Sequence, residues 1–236
     1  LAFAHDLSVE LRHVRRGTIS YSDVPYQPSP IASLQAPAVL AGNLVVAATL
    51  FLPWQTVRVR WIRPLEEVTR SALASGRPLI YYSWHAYEPF LLLALRDVAP
   101  QLVPQTIGHD GFRSRLLQLA ASAYGFPVWV YRRRSPVTPT AQIIRMLERD
   151  RPIASLVADA GGVPRVVRPG FVEVARSAEA YLVPVVIRAR PRLPVGRPWR
   201  YGFPLPFSRV DVHVGDPLDG RFVTSESCQE ALEDIG

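Results

Sequence analysis

The chain has no lysine: all 27 of its basic residues are arginine. That excludes Schiff-base chemistry through a lysine amine and a phosphate loop built on one. Cys228 is the only cysteine, which rules out an internal disulfide and a thiolate-rich metal site. The five histidines, His5, His13, His85, His109 and His213, nowhere stand at the H-x-x-x-H spacing of a zinc helix, so no metal is expected. No G-x-S-x-G elbow occurs, which removes a serine α/β-hydrolase. Apolar length is short as well. Residues 37–52 (PAVLAGNLVVAATLFL) carry no charge, but as a helix they reach only about 24 Å against a hydrocarbon core of ~30 Å. With Trp54 beside it, this segment is expected to be an interfacial helix, or else a buried core helix, rather than a membrane span.

What is present is a chain of 236 residues, 48% hydrophobic, with a formal charge of +7. That is enough for one sizeable core, and the positive excess favours an anionic partner: headgroups, a phosphorylated substrate, an acidic carrier protein or nucleic acid. The aromatics fall mostly inside apolar strands rather than between the arginines, so nucleic acid is not expected. No secretory leader is legible, and the expected location is the cytoplasmic side of a membrane, peripheral or monotopic. Residues 1–35 read as a polar, proline-containing extension, and 36–236 as one α/β domain opened by the apolar helix.

Within that domain strands and helices alternate. Thr56–Ile62 alternates Val57, Val59 and Trp61 with Arg58 and Arg60, a half-exposed strand. Strands follow at 79–84, 102–107, 127–131, 153–158 and 182–188. Residues 209–214 close the sheet as an alternating edge. Helices are expected at 64–75, 89–96, 112–125, 138–150 and 170–180. The fold class is α/β, with a mostly parallel or mixed central sheet covered by helices.

Open sheets of this kind bind ligands beyond the carboxyl ends of their strands, and four segments stand there. His85 ends the apolar run LIYYSW, with Glu88 three residues on. His109, Asp110 and Gly111 follow the next strand. Arg132, Arg133 and Arg134 follow Tyr131. Asp159, Gly161, Gly162 and Arg165 follow the strand at 153–158. Histidine titrates near neutrality and suits proton transfer. A guanidinium fork suits phosphate, and a glycine turn exposes backbone N–H groups to anions.

In this order the segments resemble the lysophospholipid acyltransferase superfamily, nearest its bacterial branch with a Trp-His motif. The matching pieces are Trp84-His85, Asp110-Gly111, the strand GFPVWVYR, Asp159 and Pro164 of DAGGVPR, and Arg168-Pro169-Gly170. Val183-Pro184-Val185 and the segment PLPFSRVDVHVGDP complete the set, and the similarity runs from about residue 45 to 219. The family's H-x-x-x-x-D is broken, because position 90 is Phe90, and two glycines of its loop are Ala160 and Val163 here.

The resemblance implies acyl transfer from an acyl-CoA or acyl-carrier-protein thioester to a hydroxyl or amine of a lipid-like acceptor, in phospholipid biosynthesis. His85 would be the base and Glu88 its orienting acid, with Asp110 a further site residue and the other candidate for that orienting role. Arg132, Arg133, Asp159, Gly161, Gly162 and Arg165 would bind substrate. No cofactor is implied beyond the acyl donor as co-substrate. Two other readings stand beside it: an acyltransferase fold that lost its activity, and a basic membrane-binding protein.

Overall fold

The computed structural model describes residues 55–95, 98–110, 118, 121, 125–150, 153–195 and 201–236. The expected extension over 1–35, its boundary with the domain, the apolar segment 37–52 and Trp54 lie outside these residues. So does most of the helix expected over 112–125, of which Gln118 and Ala121 are helical. Among the described residues no helix is long and apolar enough to cross a membrane.

Leu79–Ser83 forms β2, and every one of its residues is buried. A continuous apolar strand of this kind needs neighbours on both edges and cover on both faces. It has them: β2 pairs in parallel with β5 (Ile153–Val157) on one side and with β6 (Tyr181–Val195) on the other. β3 (Gln105–His109) adds to β5, and β4 (Val128–Tyr131) adds to β3, both in parallel. On the far side β7 (Tyr201–Val214) returns antiparallel to β6, and β1 (Arg58–Trp61) lies parallel against β7. The order is β1-β7-β6-β2-β5-β3-β4, and the short β8 (Leu218–Asp219) also pairs with β6.

The helices begin where local chemistry favours it. α1 (Leu65–Ala74) follows Pro64 and carries Glu66 and Glu67 in its first turn, where the backbone dipole favours acids. α2 (Glu88–Leu95) follows a 3-10 turn over His85–Tyr87. α3 (Pro139–Asp150) is capped by Thr138, whose hydroxyl accepts the Ala141 N–H at 3.2 Å. α4 (Pro169–Ser177) opens on proline, whose missing N–H costs nothing in a first turn. α5 (Ser225–Asp234) starts from a reciprocal capping box between Thr224 and Ser227.

Three expectations change. The strand expected at 102–107 is displaced: 100–102 is a 3-10 turn and the strand is 105–109, which puts His109 on the sheet. The strand expected at 182–188 continues to Val195, and its partner begins at Tyr201 rather than 209. Residues 209–214 alternate as expected but do not close the sheet. β1 covers that edge, with Arg58 to Trp61 in register with Arg209 to Val212.

Candidate active site

The five parallel strands β6, β2, β5, β3 and β4 all point their carboxyl ends at one edge of the sheet, and the sequence puts polar residues there. His85 sits in the 3-10 turn leaving β2, and Glu88 opens α2 one turn later. That spacing brings Glu88 Oε2 to 3.2 Å from His85 Nδ1, an ion-pair contact. Both side chains are largely buried, 26% and 15% exposed. Burial alone would lower the proton affinity of His85; the hydrogen-bonding and charge of Glu88, with the charge of Asp159, outweigh it and raise the pKa above the ordinary histidine value. Phe90, where the resembled family carries its acid, is buried in the core at 2% exposure. Glu88 is the carboxylate at the ring instead.

The loop after β5 is built around Asp159, which is 1% exposed. Its Oδ1 accepts the backbone N–H of His85 at 2.7 Å, and its Oδ2 accepts that of Arg165 at 2.9 Å. The carbonyl of the same residue accepts the Gly162 N–H at 3.2 Å. The N–H groups of Gly162 and Arg165 are therefore committed inside the loop. Gly161 holds φ +67, where a side chain would be strained, and a Cβ on Gly162 would come within 2.5 Å of Arg168 Cδ. Arg165 itself adopts φ 61, and its Nη2 donates to the Tyr87 hydroxyl at 3.2 Å. A left-handed conformation costs an arginine on the order of 1 kcal/mol, here held in place from both ends of the residue.

β3 and β4 supply the opposite wall. His109 and Tyr131 are paired in register, with ring centroids 5.9 Å apart. Asp110 is exposed, and its Oδ1 accepts the Arg133 N–H at 3.3 Å. Gln142 of α3 clamps the arginine loop: its Oε1 accepts the Arg132 N–H, and its Nε2 donates to the carbonyls of Arg132 and Val137. The guanidiniums of Arg132, Arg133 and Arg134 have no carboxylate partner among the described residues.

Arg133 acts on both rings of the wall. Burial first, and then Arg133, pull the pKa of His109 down, against Asp110 and Glu88. Burial pushes Tyr131 up, with Glu88 and Asp110 adding to it and Arg133 opposing. The charge of Glu88 contributes to raising the proton affinity of His85, His109 and Tyr131.

The structure thus brings His85, Glu88, Asp159 and Arg165 together, and sets Asp110 and Arg133 on the neighbouring wall. Gly111 lies outside the described residues. Tyr87, Tyr131 and Gln142 were missed in the sequence. Gln142 had a usable signal, a polar residue one turn into the helix that follows an arginine loop; the two tyrosines read as strand and core residues.

No family model matches the chain, and no curated protein does. Among solved structures the chain is similar to the 1-acyl-sn-glycerophosphate (LPA) acyltransferase PlsC of Thermotoga maritima. The TM-score is 0.49 and the identity 14%, covering 86% of this chain and 82% of that one.

Proposed function

We propose that the chain is an acyltransferase that moves an acyl group from a CoA or acyl-carrier-protein thioester to a hydroxyl or amine of a lipid-like acceptor. The observation that carries this reading is the His85–Glu88 contact at 3.2 Å, seated at the carboxyl edge of the parallel strands. With Glu88 against Nδ1, the imidazole keeps its proton there and carries its lone pair on Nε2. Nε2 takes the proton of the acceptor as its oxygen or nitrogen attacks the thioester carbonyl. Collapse of the tetrahedral adduct breaks the C–S bond, and the departing thiolate receives that proton from His85. Glu88 stabilises the transient imidazolium, and Asp159 fixes the backbone from which the ring projects.

Arg133, with Arg132 beside it, supplies positive charge to a phosphate of the acceptor or donor. The sequence motifs from Trp84-His85 to the segment PLPFS support the same reading, including its Trp-His branch, a place in phospholipid biosynthesis and attachment to a membrane surface on the cytoplasmic side. His85→Ala tests it with a panel of acyl-CoA and acyl-carrier-protein donors against lysophospholipid acceptors. The expected result is turnover by the parent chain and a loss of ~10²-fold or more in the variant, the usual scale for removing a general base. No turnover by the parent on any pair, or full turnover by folded His85→Ala, would reject the proposal.

A further inference from the structure

The outer face of β1, β7 and β6 carries five arginines against one carboxylate. Arg58 on β1, Arg209 on β7 and Arg190 on β6 lie in one cross-strand row. Arg60, Asp211 and Arg188 form the next row. Asp211 is shared between Arg60 and Arg209, at 2.8 and 2.9 Å, so it does not neutralise the face. All five arginines are exposed. Like charges directly opposite on neighbouring strands repel at a spacing of about 5 Å; in this row Asp211 offsets Arg209, while Arg58 and Arg190 have no carboxylate among the described residues.

A second observation stands at the end of the same row. Phe207, two residues before Arg209, is 77% exposed, and Leu205 is 40% exposed. The Phe207 backbone is held at φ 63, with its N–H donated to Thr56 Oγ1 at 3.0 Å. A bulky residue with positive φ is uncommon and strained, and here it keeps a phenyl ring in solvent beside the arginines.

The position of this face is also specific. β6 loses contact with β2 after Pro184, and from Val185 to Val195 it is paired with β7. The basic face therefore rides on a three-stranded arm, β1-β7-β6, that runs past the end of β2, beyond which His85 stands.

We infer that this face docks on an anionic lipid surface, with Arg58, Arg190 and Arg209 on headgroup phosphates and the Phe207 ring inserted among the acyl chains. Basic charge with an apolar protrusion on an open face is what a bilayer interface selects. A single-stranded nucleic acid would call for successive stacking rings along a groove, and among the described residues the face exposes one, Phe207. The inference does not depend on the acyl-transfer reading.

Co-sedimentation of the full chain with vesicles tests it, comparing phosphatidylcholine alone with phosphatidylcholine containing phosphatidylglycerol. The parent chain is expected to bind the anionic vesicles and to be released by salt. At about fivefold per arginine, R58Q/R190Q/R209Q should weaken that binding on the order of a hundredfold. Phe207→Ser should weaken it about tenfold and leave the salt dependence intact. Failure of the parent to bind anionic vesicles, or binding that does not respond to salt, overturns the inference. So does parental affinity in either variant, which would place attachment elsewhere in the chain. Turnover of the triple variant on a water-soluble acceptor separates the two proposals: docking can fail while acyl transfer stands, and the reverse.

Discussion

Asp159 accepts the backbone N–H of His85 at 2.7 Å and, with its other oxygen, that of Arg165 at 2.9 Å. One buried carboxylate thus ties the end of β2 to the loop leaving β5. The geometry gives Asp159 a positioning role, since both of its oxygens are turned to backbone. Asp159→Ala would leave two N–H groups without their acceptor in a buried site, at a cost of roughly 3 kcal/mol. The expected outcome is a lower melting temperature together with a fall in kcat larger than any change in KM. Asp159→Asn, which keeps one acceptor oxygen, should fall between. A parental melt and kcat in Asp159→Ala would show that the tie does not matter.

The pH profile of turnover should report Glu88. His85 must be neutral to accept a proton, so activity rises as pH passes through its pKa. Glu88 and Asp159 together hold that pKa above the ordinary value despite burial. Glu88→Gln removes the larger of the two charge effects, and the acid limb should move to lower pH while maximal turnover drops. A lost activity with an unmoved limb would point to Asp110, and Asp110→Asn in parallel decides between them.

Arg133 and Arg134 are neighbours with different surroundings. Only Arg133 is felt at His109 and Tyr131. For a phosphorylated acceptor, Arg133→Ala should raise KM by about tenfold or more, the scale of one charge-assisted hydrogen bond. Arg134→Ala should leave KM near the parental value. Steady-state kinetics at fixed donor concentration tests the pair.

Far from the site, Arg77 makes a bidentate contact with Asp219 at 2.7 and 3.0 Å, donates to the Glu179 carbonyl at 2.6 Å and lies over the Tyr181 ring. Arg77 first, then Arg221, hold the Asp219 carboxyl well below the usual carboxylate range. A depressed carboxylate contributes stability above its unfolded pKa of about 3.9, and loses it as pH falls toward the folded value. Asp219→Asn should therefore cost about 2 kcal/mol near neutrality. The gap in melting temperature between parent and variant should narrow below about pH 4. A gap independent of pH would mean that the carboxylate charge is not what stabilises this corner.

Much of the sheet was legible because its central strands are largely apolar runs, as in Leu79–Tyr82, and its helices open on readable signals such as Thr138-Pro139 and Arg168-Pro169. The His85–Glu88 contact was legible for the same reason, since three residues is one turn. The length of β6 and β7 was not. Proline is uncommon inside strands, yet Pro191, Pro194, Pro204 and Pro206 are tolerated here because the strand has lost a neighbour, as this arm has lost β2. The partner of β1 was hidden too, because a parallel pair joining Arg58 to Arg209 leaves no local trace. The meeting of His109 with Tyr131 depends on the register of β3 against β4, which neither segment encodes alone.

That parallel pairing of β1 has a consequence for how the chain comes to be folded. The first described strand can find its place only after the last long strand, β7, has been made. During synthesis β1 has to wait as an unpaired segment while β2 to β6 emerge, and long-range parallel closure of this kind is slow. A nascent chain stopped before Tyr201 would present two naked strand edges at once, β1 and the outer side of β6, each able to capture a stranger. The order of translation thus leaves the arginine-bearing edge among the last parts of the sheet to close, and as the part whose absence a truncated product would betray by self-association.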